Sequence, residues 1–410
     1  MSDPEGSLPT AQEALFNRGG SDPEGSLPTA QEARAARGGV YVHLPFCPYI
    51  CPYCDFAKWP LRRSHAERYL VALEREIAAA PPFVATTLFL GGGTPNTYAP
   101  ERIAALVELL RARFALPPGA EVTIELNPDL DLCAGFAAYR AAGITRASFG
   151  VQSFVPEELR TLGRRHSPSD VAEAVRRARA AGFANVSLDL IFAVPGQNAQ
   201  SWAHSLEAAL ALGPEHVSTY GLTVEDGTRY ADWFAREPQR FSTQDLEAEL
   251  YALAIERLTA AGFEHYEISN FARPGFRSAH NANYWANGEY LGLGVGAASY
   301  LAGVRSVNTR DLNAYCTAAL DGEAVPAESE RLSGDAKVGE AAMLALRTLE
   351  GVELAGFAER YAVDFRERYR GVLDTMQADG MLEVTTTHVR LTSRGRFVAN
   401  DVCAAFVASP

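Results

Sequence analysis

The sequence predicts an α/β fold: six β-then-α units whose parallel strands close, or partly close, into a barrel, then a cap segment and a small winged-helix-like α+β domain. Three observations predict it. Between residues 38 and 262, short β-rich runs alternate six times with stretches of helical spacing. Over residues 263–330 that rhythm gives way to loop-like and glycine-rich sequence, and over 331–410 helical spacing is followed by two short strand-like runs.

Residues 2–14 and 21–33 carry the same thirteen residues, SDPEGSLPTAQEA. The copy is too short and too rich in Pro, Gly, Ser and Glu to fold as a repeat, so residues 1–37 read as a disordered leader. The predicted barrel strands are 40–44, 86–90, 121–126, 146–151, 185–192 and 216–222. Helices are predicted near 66–80, 100–113, 131–142, 168–182, 199–212 and 244–261. Residues 263–330, with HYEISNFARPGFRSAHNANYW and YLGLGVGAASY, read as a cap over the barrel. In the tail, AAMLALRTL and FRERYRGVLDTM have helical spacing, and MLEVTTT and HVRLTS complete a winged-helix pattern.

Composition narrows the function classes. The 410 residues carry a net charge of -13, which speaks against a protein built to hold a phosphate backbone. The tail itself has ten Lys or Arg against eleven Asp or Glu, so the sequence predicts no nucleic-acid partner there either. No run of 18 apolar residues and no signal-like start is present, which leaves a cytoplasmic protein without a membrane span as the expectation. Only Lys58 and Lys337 among the 37 basic residues are lysine, a pattern attributed to coding bias.

Six cysteines are too few for a disulfide scaffold, yet Cys47, Cys51 and Cys54 fall within eight residues directly after the first predicted strand. Three thiolates on one loop suit a 4Fe-4S cluster with one iron left open, whereas zinc sites usually take four ligands. The plainer reading is three buried or zinc-binding cysteines. Cys133, Cys316 and Cys403 stand alone and read as packing residues. Functional groups of a β/α barrel gather at the C-terminal ends of its strands. Those ends offer Gly91-Gly92-Gly93-Thr94-Pro95, Glu125-Leu126-Asn127-Pro128, Gln152 and Asp189. For Glu125 and Asp189, structural pairing with a neighbouring arginine remains the alternative.

The CxxxCxxC spacing resembles the signature of the radical S-adenosylmethionine (SAM) superfamily. YVHLPFC, GGGTP, FGVQSF, LGRRH, VPGQ, YEISNFA and HNANYW more closely resemble the HemW heme-chaperone family, related to oxygen-independent coproporphyrinogen III oxidases. The resemblance runs from about Tyr41 to the tail. It implies a radical SAM barrel with a 4Fe-4S cluster on Cys47, Cys51 and Cys54. It further implies SAM contacts from Tyr41, Gly92, Gly93, Thr94, Glu125, Gln152, Arg164 and Asp189, with Tyr53 beside the adenine. His280 of His280-Asn281-Ala282-Asn283-Tyr284-Trp285 matches the HNxxYW motif, whose histidine is taken as a heme ligand. Without the resemblance, a lone loop histidine reads as a hydrogen-bonding residue.

The implied function is a heme chaperone that binds the cluster, SAM and heme and passes heme to an acceptor protein, which the sequence leaves unidentified. The competing reading is a coproporphyrinogen III oxidase that decarboxylates through a SAM-derived radical; a radical SAM enzyme on another substrate is a third. Phe56 stands where the oxidases usually carry a further cysteine, and together with HNxxYW it favours the chaperone. Ala298 stands where a histidine is often expected in this family, a departure bearing on heme binding. The oligomeric state is not readable.

Overall fold

The computed structural model describes residues 36–408. The expected leader therefore lies outside the described residues, apart from Ala36 and Arg37. Six parallel strands form the centre: β1 (Arg37–Leu44), β2 (Val84–Gly92), β3 (Val122–Leu126), β4 (Arg146–Gln152), β5 (Asn185–Phe192) and β6 (His216–Gly221). Each predicted barrel strand is present within about three residues of its expected ends. The strands are buried along nearly their whole length because one face meets the lumen and the other the helices, as in β1 with only its first residue exposed. Fully buried side chains such as Val40, Leu88, Ile124 and Leu188 each contribute roughly 1.5–3 kcal/mol.

The intervening helices are α1 (Arg63–Ala79), α2 (Pro100–Arg113), α3 (Phe136–Ala141), α4 (Pro156–Thr161), α5 (Pro168–Ala180), α6 (Ala199–Ala211), α7 (Arg229–Arg236) and α8 (Gln244–Ala260). Their starts are written locally: Ser167 and Asp170 form a capping box on α5, and Asn198 and Ser201 do so on α6. The helix expected over 131–142 is shorter, because residues 130–132 form a 3-10 turn and Gly135 opens α3. Helices α4 and α7 were not predicted, being too short to show a period.

Residues 263–330, expected as a cap, contribute strands that pair with the barrel and a helix that lines its lumen. They extend its sheet at both edges. Strands β7 (Glu264–Glu267) and β8 (Asn270–Ala272) add antiparallel to β6. After helix α9 (Ala279–Trp285), strand β9 (Glu289–Leu293) pairs parallel with β1, and β10 (Ala298–Leu301), β11 (Val304–Asn308) and β12 (Ala327–Arg331) follow as a meander. The sheet thus has twelve strands in the order β12-β11-β10-β9-β1-β2-β3-β4-β5-β6-β8-β7. The physical reason is edge pairing: β1 and β6 would otherwise expose unpaired backbone groups, and short strands of this segment satisfy them. The chain must cross from the β8 side to the β9 side, and α9 makes that crossing at the N-terminal ends of the barrel strands.

Helix α10 (Leu312–Asp321) packs on α1. The tail contains α11 (Gly334–Leu346), α12 (Leu354–Tyr361), α13 (Phe365–Arg368), α14 (Arg370–Ala378) and α15 (Ala399–Ala408). With them comes an antiparallel sheet ordered β13 (Val352–Glu353), β15 (His388–Leu391), β14 (Leu382–Val384). Helices followed by a β-ribbon match the winged-helix-like expectation. The tail shares the barrel's hydrophobic core and is tied to it by the Arg305–Glu340 ion pair at 2.5 Å. Among the described residues no helix is long and apolar enough to cross a membrane.

Candidate functional site

A cavity of about 310 Å³ runs down the barrel lumen from the cysteine loop to α9. Its wall brings together Cys47, Cys51, Cys54, Tyr41, Tyr53, Gly92, Gly93, Thr94, Glu125, Gln152, Arg164, Asp189 and His280, the residues expected to hold the cluster, SAM and heme. The parallel strand order is responsible, since it delivers the end of each strand to one mouth.

The cysteine loop is pinned at both ends. Phe46–Cys47 pairs parallel with Trp59–Pro60, and the Leu61 N–H donates to the Cys47 carbonyl at 2.8 Å. The Ala57 carbonyl accepts from His43 Nε2 at 2.7 Å, which leaves His43 Nδ1 to accept from the Tyr41 hydroxyl at 2.9 Å. Burial holds His43 neutral, its pKa lowered to about 4. Among the described residues no three His, Cys, Asp or Glu side chains close on a single metal ion. A cubane takes each thiolate on a different iron and so does not require the three sulfurs to converge on one point. Burial raises the Cys54 thiol to about 12, a cost that cluster ligation removes by displacing the proton.

Gly92 and Gly93 form a cradle in which side chains have no place. Gly92 has φ +102°, and a Cβ there would meet the His43 ring at 2.2 Å; one on Gly93 would meet the Pro45 backbone at 2.6 Å. The Gly92 N–H donates to Glu125 Oε2 at 2.8 Å. Burial raises the Glu125 carboxyl to about 7 despite that bond, with the Asp189 charge adding to the effect. Asp189, also raised by burial, accepts from Ser148, Ser187 and Ser218, the last at 2.7 Å. Neither carboxylate forms a direct ion pair with arginine among the described residues, although the Arg146 charge acts on both. Gln152 adopts φ +69° beside a register shift in β4, a conformation rare for a residue with a side chain and typical of constrained sites.

Arg164 donates to Gly150 O at 2.8 Å, Asn127 Oδ1 at 3.0 Å and Cys51 Sγ at 3.7 Å, and its buried Nε has no partner in the described structure. A buried, partly unsatisfied guanidinium beside a thiol fits an anionic ligand group. Tyr53 packs edge-on against Tyr230, giving a flat apolar wall. These residues fit a 4Fe-4S cluster with SAM beside it.

His280 sits differently from its sequence reading. It lies on α9 rather than in a loop and is only 1% exposed. Its Nδ1 pairs with the Thr87 hydroxyl at 2.8 Å and its Nε2 with the Tyr284 hydroxyl at 2.9 Å, while its ring lies against Phe89. Burial lowers its pKa to about 3. An axial heme ligand needs a free ring nitrogen, and here both are engaged, so the residues present do not fit heme ligation in this conformation. Ala298 is buried in β10, away from the cavity wall. Cys133, Cys316 and Cys403 are buried and apart from the site, as expected.

Sequence reasoning passed over Lys58, Tyr49, Tyr220 and Asn270, which also line the cavity, and Glu121 and Arg146 near its floor. Lys58 carried a signal in its place four residues after Cys54; the others emerge only from strand register.

Residues 41–209 match the radical SAM superfamily and residues 332–398 the HemN C-terminal domain. The heme chaperone HemW of Bacillus subtilis (strain 168) is 36% identical over 90% of this chain and 98% of its own length. That of Mycobacterium tuberculosis (strain H37Rv) is 41% identical over 89% of this chain and 93% of its own, and that of Escherichia coli (strain K12) 32% identical over 90% and 98%. The structure of the radical SAM enzyme coproporphyrinogen III oxidase (HemN) from Escherichia coli matches with a TM-score of 0.82 at 24% identity, covering 92% of each chain, a likeness of fold. With its cysteine loop, glycine cradle and tail accounted for over nearly the full length of these relatives, the chain belongs to the HemW heme-chaperone family within the radical SAM superfamily.

Proposed function

We propose that the protein is a heme chaperone that carries a 4Fe-4S cluster on Cys47, Cys51 and Cys54, binds SAM in the lumen and delivers heme to an acceptor protein. When bound, the cluster's open iron would chelate SAM and could pass it an electron. The chain's own residues prepare that site. Thr94 hydrogen-bonds the Cys47 thiol and Arg164 the Cys51 thiol, so two of the three ligands are oriented from outside the loop. The Arg164 Nε and the exposed backbone at Gly92 and Gly93 suit the carboxylate and amine of an amino acid, and Tyr53 suits a nucleobase. Glu125, poised near neutrality, can accept or donate a hydrogen bond to a ribose hydroxyl.

The observation that carries the chaperone reading over the oxidase is the 98% coverage of curated heme chaperones at better than 30% identity, whereas the oxidase match rests on fold. Phe56, on the cavity wall where the oxidases usually have a further cysteine, supports it. Ligation of heme iron by His280 is supported by the family motif alone and requires that the Thr87 or Tyr284 bond break. The test is anaerobic incubation of cluster-loaded protein with SAM, a strong reductant and coproporphyrinogen III, alongside a heme titration. We expect stoichiometric heme binding and no loss of carboxylates; decarboxylated product would make the protein an oxidase.

A further inference from the structure

Lys58 belongs to no role described so far. The return of the cysteine loop fixes its backbone: Ala57 before it is held by His43, and Trp59 after it donates to the Pro45 carbonyl at 2.9 Å while pairing with Phe46. The residue is half-buried and lines the lumen with all three cluster cysteines. Its ammonium forms no ion pair with a carboxylate among the described residues, although Asp55 is three residues away and the Asp55 carbonyl is taken by Arg310. Its charge acts on the Cys47 and Cys54 thiols, while Arg164 sits against Cys51 and also acts on Cys47. Two cations therefore act on the three thiols, and they work against the acidic lining of Glu125, Asp189 and Glu225.

We infer that Lys58 is a countercharge of the iron-sulfur centre, complementary to Arg164, and that it raises the centre's reduction potential. The inference rests on the reading that Cys47, Cys51 and Cys54 carry a 4Fe-4S cluster. A cluster held by three thiolates is an anion when oxidised and gains one more negative charge on accepting an electron from a one-electron donor. A fixed cation beside it in a half-buried cavity stabilises the reduced state more than the oxidised one. Arg164 cannot be used to measure this effect cleanly, because the same guanidinium is placed to hold SAM. Lys58 is not among the proposed SAM contacts and carries a point charge on a flexible stem.

The experiment is an anaerobic redox titration of the cluster-loaded full chain without SAM, followed by the electron paramagnetic resonance signal of the reduced cluster, in wild type, Lys58→Gln, Lys58→Met and Lys58→Arg. Iron and sulfide content are measured on each sample. We expect the neutral variants to show about a tenfold less favourable one-electron reduction, a fall of about 59 mV, and Lys58→Arg to restore most of it. Wild-type potentials in cluster-replete neutral variants overturn the inference. So does failure of both neutral variants to hold a cluster that Lys58→Arg retains, which assigns Lys58 to assembly. Unchanged potential with weakened binding of heme, but not of its dimethyl ester, overturns it in favour of a carboxylate anchor. A wild-type protein that takes up no cluster defeats the underlying cofactor reading instead.

Discussion

At the upper end of the barrel, where β1 to β6 terminate, polar groups are held ready but incompletely matched. Arg164 keeps a buried Nε without a partner, Glu125 is buried with a carboxyl near neutrality, and Gln152 holds a strained backbone. At the lower end, most polar groups around α9 are paired, the buried Trp285 Nε1 being an exception among the described residues. Glu121 accepts from the Ala279 and His280 N–H groups, Ser278 caps the helix at Asn281, and both His280 nitrogens are paired. The tail then grips the helix from outside: Arg347 stacks over Trp285 at 5.1 Å, and Arg360 donates to the carbonyls of Ala286 and Asn287. The unmatched groups facing the cavity mark a surface awaiting ligands, and the largely matched α9 marks a structural floor.

The largest effect that would sharpen this contrast is on the cofactor. Cys51→Ser should abolish cluster absorbance and iron content, while the unfolding free energy of the cluster-free protein stays within about 0.5 kcal/mol of the cluster-free wild type, the range of a surface change. A large loss of stability in that comparison would mean that the loop also supports the fold.

His280→Ala should do the reverse. It leaves the Thr87 and Tyr284 hydroxyls unpaired beneath Phe89 and should cost roughly 2–4 kcal/mol in denaturant unfolding, with cluster content intact. The position of the heme absorption bands decides its other role. Bands unchanged by the substitution keep His280 in the floor; bands that lose the character of nitrogen ligation break the contrast, since the floor would then hold a ligand.

Glu125→Gln tests the upper end through pH. Below pH 4.5 the carboxyl is neutral in folded and unfolded chains and costs nothing; above its folded value of about 7 a buried carboxylate must be maintained. Asp189 and Arg146 face the same space, so the informative quantity is the difference between wild type and variant. The variant should gain relative stability as pH rises from 4.5 to about 7, on the order of 3 kcal/mol at 1.36 kcal/mol per pKa unit. A pH-independent difference would show that the carboxyl is not strained. The smallest effect is expected at Arg360→Ala, about 1 kcal/mol from hydrogen bonds on the exposed side of α9. Amide exchange in residues 279–287 should quicken, and unchanged exchange would detach the tail from the floor.

Sequence by itself determined the barrel and its mouth. Alternation of β-rich and helical runs is a local property of each segment, and a parallel sheet converts six local strand ends into one site, so Cys47, Glu125, Gln152 and Asp189 could be placed together without coordinates. Tertiary structure alone decided the rest. The segment 263–330 has strands of three to five residues, too short for a period, and their partners β1 and β6 lie far away in sequence. His280 looked like a loop residue for the same reason: the groups that engage it, Thr87 in β2 and Glu121 just before β3, are remote in the chain. Lys58 was dismissed as composition because its neighbours become visible only when the loop folds back on Cys47. Local pattern fixes which elements form, whereas pairing of edges and matching of buried polar groups depends on contacts between residues remote in the chain.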